Sequence, residues 1–208
     1  MKNFILMVLV ILSAGCATVQ KKDYTRFYQS PPRSILIVPV VNRSVDVDAP
    51  NYFLSSIPIP VAEQGYYVFP VNMVKRVLED NGLSDADMVH KAPVQKLASL
   101  FGADAILYIS INRWDARYIF LATTITVELT YEIKDGKTGD TLWIDSRRVQ
   151  YTPQSASGGN PLADLIVDVA IAAIEKAAPN YMPLAKQANM QAFTYPGPGI
   201  PPGPYSHK

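Results

Sequence analysis

The chain has 208 residues, 49% of them apolar and 18% charged, enough for one well-packed domain and far from the composition of a disordered tail or a multi-span membrane protein. Nineteen Lys and Arg against eighteen Asp and Glu leave a formal charge of +1, which supplies no phosphate-neutralising surface and argues against DNA or RNA as a partner. One Cys and two His exclude an intrachain disulfide, a Cys/His zinc cluster and any catalytic scheme that needs several imidazoles.

Lys2 supplies a positive start, and Phe4 to Leu12 is an unbroken apolar run of nine residues. That length suits the about 7–15 residues of a signal-peptide core and falls short of the about 20 that a spanning helix needs. Ser13-Ala14-Gly15-Cys16 follows, small residues ahead of the sole cysteine. This resembles the lipobox that a bacterial lipoprotein signal peptidase cuts, with Ser13 at the place where Leu is commonest. Residues 1–15 then form the signal peptide and Cys16 carries the lipid, including a palmitate-type chain. The other readings are an uncleaved anchor, or an ordinary cleavage site with Cys16 as an incidental thiol. Ala17 stands after the Cys, where Asp would favour inner-membrane retention by the same resemblance, so the expected location is the outer membrane, on its periplasmic face.

Residues 16–33 lack apolar periodicity, end in Pro31-Pro32-Arg33, and read as an extended tether. Ile35 to Val41 is a short β-rich run, and Pro39 within it points to an edge or a bulge. Pro58 and Pro60 interrupt the next stretch, with Pro60 suited to the first turn of a short helix. Tyr66 to Val71 is rich in β-formers. Asn72 is positioned to cap a helix over Met73 to Asn81 closed by Gly82, Ser84 with Asp87 resembles a capping box, and Pro93 opens a helix ended by Gly102. Ala105 to Ile111 reads as a strand. Ile125, Val127, Leu129, Tyr131 and Ile133 alternate with polar residues, which predicts a strand with one buried face in an antiparallel neighbourhood. The turn cluster 135–140 joins it to a hairpin partner over Thr141 to Val149. Asn160-Pro161 opens a long, largely buried helix to about Ala177, and a second covers Pro183 to Ala192. Residues 193–208 hold a Pro/Gly-rich segment that reads as disordered and too flexible to pack. The expected architecture is a single α/β domain over 34–192.

The chemistry-bearing residues are sparse. His90 and His207 are the only imidazoles, neither comes with a nucleophile motif, and His90 reads as a surface residue. Glu79, Asp80, Asp85 and Asp87 lack the spacing of a calcium loop and suit helix ends. Gly136-Lys137-Thr138 copies the end of a phosphate loop but joins strand to strand, as a hairpin turn does. Glu128 and Glu132 share a wet strand face, which explains them without acid/base work. No catalytic residue, cofactor or metal is expected.

Trp114, Tyr118 and Phe120 surround a presumed turn at Asp115-Ala116-Arg117. Alternation cannot send every apolar side chain of 118–121 to one face. Two readings stay open: these aromatics form a partner-binding surface, or they close the end of the core.

Glu63 to Val71 (EQGYYVFPV), Phe101-Gly102-Ala103-Asp104-Ala105, Thr138 to Trp143 (TGDTLW) and Pro31 to Pro39 resemble the small Gram-negative outer-membrane lipoproteins first known as neisserial vaccine candidates. The resemblance covers about residues 16–192 and leaves the tail outside. It implies a fold similar to the amino-terminal domain of TolB, a mixed, partly antiparallel sheet backed by helices. It also implies an accessory role in envelope transport or assembly beside other envelope lipoproteins, including one like the curli-secretion channel, with a homo-oligomer possible. It transfers no catalytic residue, only the acylated cysteine, onto Cys16. From other classes, a periplasmic binder of a small apolar ligand and an envelope hydrolase are the alternatives.

Overall fold

Fifteen consecutive residues, Ala105–Ile119, form the strand around which the sheet is built, and a second strand of nearly equal length, Ala122–Asp135, returns against it. The computed structural model describes residues 22–119, 122–151, 181–194 and 199–206, with only the backbone of 117–119, 122 and 123. In chain order the elements are α1 (Thr25–Gln29), β1 (Ser34–Ile37), β2 (Val41–Asn42), α2 (Ala49–Leu54), α3 (Pro58–Glu63), β3 (Tyr67–Val68), α4 (Val71–Asp80), α5 (Ala86–Lys91), α6 (Val94–Phe101), β4 (Ala105–Ile119), β5 (Ala122–Asp135), β6 (Thr141–Tyr151) and α7 (Met182–Phe193). The sheet order is β3-β1-β4-β5-β6, with β2 also on the β1 side of β4. The β1, β2 and β3 pairings are parallel and short, whereas β4-β5-β6 is a long antiparallel meander. This is the mixed sheet backed by helices that the family resemblance implies.

The alternation in β5 does what its period demands. Ile125, Val127, Leu129, Tyr131 and Ile133 are all fully buried on one face, with Ile109, Ile111, Trp114 and Trp143 of the flanking strands. Against them pack Phe53 and Ile57, and Leu184, Ala185, Ala188, Ala192 and Phe193 of α7. On the opposite face, among the described residues, Val74, Leu78, Val89, Leu97 and Ala98 of α4, α5 and α6 lie over Leu36, Val38, Ile106 and Tyr108 at one end. Gly102 ends α6 at φ +69°, a left-handed position that glycine takes without a Cβ clash.

Several local expectations are corrected. The run 35–41 is two strands, because Pro39 cannot donate to the ladder and the chain re-pairs with β4 only at Val41. Helix α4 starts behind Pro70, with Asn72 inside it rather than capping it. Asp85, not Ser84, caps α5, its carboxylate accepting from Met88 N at 3.0 Å. Residues 115–117 are strand, paired with Thr126, Ile125 and Thr124, so the reversal falls between Ile119 and Ala122. The tether is shorter than expected: from Lys22 the chain is packed, with Phe27 of α1 buried.

The tail is corrected as well. Residues 199–206 lie against the 64–66 turn, with Gly203 N donating to Gln64 O at 2.7 Å and Tyr205 N to Gly65 O at 3.0 Å. Tyr66 Oη donates to Pro201 O, and Ile200 is buried in the main core. Residues 1–21, with the signal peptide and Cys16, lie outside the described residues, as does the helix expected over 160–177.

Candidate functional site

An open groove of about 340 Å³ lies where β2 leaves the edge of β4, lined by Arg43, Ser44, Val45, the 112–115 segment and Glu128. A register shift between Ile111 and Arg113 makes it: Ile111 pairs with Leu129 and Arg113 with Glu128, leaving Asn112 as an extra residue. The bulge resets the alternation, so that Trp114 takes the inward place that an uninterrupted strand would give to residue 113. Trp114 is 1% exposed and packs on Tyr181, ring centroids 5.4 Å apart. That corrects its assignment to an exposed partner surface, since a buried ring offers no contact area. Tyr118 is a strand residue paired with Thr123, its side chain undescribed, and Phe120 lies outside the described residues.

The charges of the groove are paired. Arg113 Nε lies 3.2 Å from Asp115 Oδ1, Arg148 Nε 3.9 Å from Glu128 Oε2, and Arg43 grips both oxygens of Asp87. The Arg43 hydrogen bonds hold the Asp87 carboxyl below the usual carboxylate range. Next to the groove, the outer face of β4-β5-β6 carries a cross-strand polar row: Asn112 Nδ2 donates to Thr130 Oγ1 at 2.8 Å, and Thr130 Oγ1 lies 3.3 Å from Ser146 Oγ. Among the described residues no helix covers this part of the sheet, so the hydroxyls and the Glu128–Arg148 pair face outward.

His90 is not the plain surface histidine expected. It is half-buried between α5 and the sheet, its Nε2 is 3.0 Å from Pro39 O, and its ring meets Tyr108 edge-on at 5.1 Å. A carbonyl only accepts, so Nε2 carries the proton. Burial depresses its pKa below the ordinary value, against the opposing pull of the Pro39 bond and Asp87. Tyr108 is pushed up to about 12 by burial and by Glu132, and its hydroxyl has no partner among the described residues. Lys134 pairs with Glu132 at 3.4 Å and lies 5.5 Å from the centre of the Tyr108 ring. Among the described residues no Ser or Cys bonds to His90, and no group of three metal-ligating side chains converges. The arrangement is a polar, charge-paired surface on which, among the described residues, no hydroxyl or thiol bonds to an imidazole.

A third feature sits along the first half of β6. Lys22 Nζ pairs with Asp145, which also binds Arg147, and lies 4.6 Å over the Trp143 ring. No sequence signal marks this, because Lys22, Trp143 and Asp145 join only through packing. Burial lowers the Lys22 pKa, while Asp145 counters that shift.

The profile of the family described as "Putative lipoprotein GNA1162-like" matches residues 22–205. The chain belongs to this family. "Putative lipoprotein NMB1124/NMB1162" of Neisseria meningitidis serogroup B (strain ATCC BAA-335 / MC58) is 36% identical over 162 residues, 76% of this chain and 75% of that one. The crystal structure of lipoprotein GNA1162 from Neisseria meningitidis superposes with a TM-score of 0.58 at 32% identity, covering 70% of this chain and all of that one. The C-terminal domain of LpoB from Salmonella enterica is a more distant match, at a TM-score of 0.41 and 20% identity over 62% of this chain and 93% of that one. The family match runs to residue 205 and so takes in most of the C-terminal segment, which the sequence resemblance left outside.

Proposed function

We propose that the chain is an accessory lipoprotein of the cell envelope, acylated on Cys16, held in the periplasmic leaflet of the outer membrane and acting through protein–protein contacts in transport or assembly. Membership in a lipoprotein family supports the anchor. The observation that carries the mode of action is the polar row Asn112–Thr130–Ser146 beside the groove, which no described helix covers. Mutually paired hydroxyls and charges on a rigid sheet give a surface that needs no large desolvation to stay soluble and can exchange those bonds for a partner's. A small apolar ligand finds no matching site there, since Arg43, Arg113, Asp115 and Glu128 line the groove. Partners are other envelope lipoproteins, among them one resembling the curli-secretion channel.

Two measurements test this. Cys16→Ser should abolish palmitate labelling and move the protein out of the membrane fraction, and wild-type retention after a salt wash would sink the anchor. A photo-crosslinking residue at Thr130 should capture another envelope protein in cells, while one at Lys75 on α4 should not. Equal yields from the two positions would remove the sheet face as the contact surface.

A further inference from the structure

The place where the chain becomes fixed limits how the domain can stand on a membrane. Lys22 is tied to the first half of β6 by its ion pair with Asp145 and its seat over Trp143. Five to eight residues on, the same segment is tied again: Phe27 is buried, and Ser30 Oγ donates to Asp135 at the 135–140 turn. From Lys22 the polypeptide therefore has no slack relative to this end of the sheet.

Cys16 precedes Lys22 by 22 − 16 = 6 residues. Whatever path they take, six residues span at most about 20 Å. The sheet is longer than that: Glu132 pairs with Ile144 near Lys22, and the strand then runs ten residues back to Ala122, a further ~33 Å toward the hairpin end. An acyl chain on Cys16 thus reaches the bilayer beside the start of β6 and cannot do so from the hairpin end.

The surface within this reach has side chains suited to the headgroup region. Tyr28 is 68% and Ile144 56% exposed. Arg26 and Lys137 are exposed beside them, and so are Asp23 and Asp140. The signs balance, so charge does not steer the contact, whereas an amphipathic ring and an aliphatic side chain settle at the water–hydrocarbon boundary.

Resting on the reading that Cys16 is acylated, we infer that α1, the 135–140 turn and the first residues of β6 form the face that lies on the lipid bilayer. The β4–β5 hairpin, beyond the reach of the anchor, then points away from the membrane.

The test uses full-length mature protein purified from membranes. Acylation consumes the only native thiol, so Tyr28→Cys, Ile144→Cys and Val45→Cys each supply a unique site for a nitroxide label. Val45 is 91% exposed and lines the groove. In phosphatidylethanolamine–phosphatidylglycerol vesicles doped with a nickel-chelating lipid, relaxation of the labels at 28 and 144 should be enhanced several-fold over that at 45. The ratio should hold in high salt and in uncharged phosphatidylcholine vesicles. Equal enhancement at all three sites, or a larger one at 45, overturns the orientation. The intact mass of the same sample separates the two ideas. An unmodified Cys16 overturns the anchor and the orientation with it, whereas an acylated Cys16 with unenhanced labels at 28 and 144 overturns the orientation alone.

Discussion

The Tyr131 hydroxyl donates to Asn189 Oδ1 across 2.7 Å inside the core, joining the middle of β5 to α7. Asn189 Nδ2 in turn donates to Ser56 Oγ at 3.1 Å, and Ser56 Oγ to Phe53 O at 2.8 Å. The chain of bonds fixes α7 and the link between α2 and α3 on one face of the sheet. Burial raises the Tyr131 pKa well above its ordinary value, so the hydroxyl stays a donor throughout the physiological range.

Asn189→Ala strands that donor where water does not reach. A buried unsatisfied hydroxyl costs about 1–3 kcal/mol, and for a chain of this size each kcal/mol lowers Tm by about 2–4 °C. Asn189→Ala should therefore melt several degrees below wild type. Adding Tyr131→Phe should recover part of the loss, because the stranded group is then gone. Strictly additive melting shifts for the pair would show that the bond does not couple them.

Gly65 holds φ at +87°, and a Cβ there would meet Ser206 N at 2.1 Å. Gly65→Ala should consequently push the 199–206 segment off the 64–66 turn without unfolding the sheet. Amide exchange reads this directly: Gly203 and Tyr205, which bond to Gln64 and Gly65, should lose protection while Leu129 keeps it. Unchanged protection at 203 and 205 would refute the docking.

How much of this was legible follows from what each feature depends on. The strand over 124–133 and the turn at 135–140 declare themselves, because period-two alternation and turn residues are local signals. The stop of α6 at Gly102 is local too. The Asn112 bulge is not: no residue near it marks an insertion, and the parity change comes from pairing with Glu128 and Leu129. That is why Trp114 reads as a candidate anchor in sequence and is core in the fold. The C-terminal segment misleads for a related reason, since Pro-Gly text has neither helical nor strand period. Its docking depends on two distant glycines, Gly65 and Gly203, that let backbones touch. Within the candidate surface, Glu128 is legible as a wet-face residue, while Arg43 joins it only through the parallel β2–β4 pairing and Asn112 only through the bulge against β5.

His90 sets a pH dependence whose sign follows from its burial. Its folded pKa lies below the ordinary value, so as pH falls through about 6.5 the unfolded chain takes up a proton that the native state takes only at lower pH. Stability is present above the unfolded pKa and falls as pH drops from about 7.5 toward 5, before carboxylates such as Asp87 titrate. His90→Gln keeps a donor for Pro39 O and removes the titration. Urea midpoints at the two pH values should differ for wild type and converge for the variant; a difference of equal size in both would place the dependence elsewhere.

Trp114 distinguishes a core role from a docking role. Its ring is 1% exposed against Tyr181, and its indole N–H has no partner among the described residues. Trp114→Ala should then cost about 3–5 kcal/mol through the cavity it leaves. Trp114→Phe should cost less, since it removes no hydrogen bond and keeps much of the apolar volume. Chemical denaturation gives both values. Since the ring reaches no partner, a Trp114→Phe protein that still folds should crosslink from Thr130 as wild type does. Loss of the crosslink with an unchanged denaturation midpoint would return Trp114 to the contact surface and overturn its place in the core.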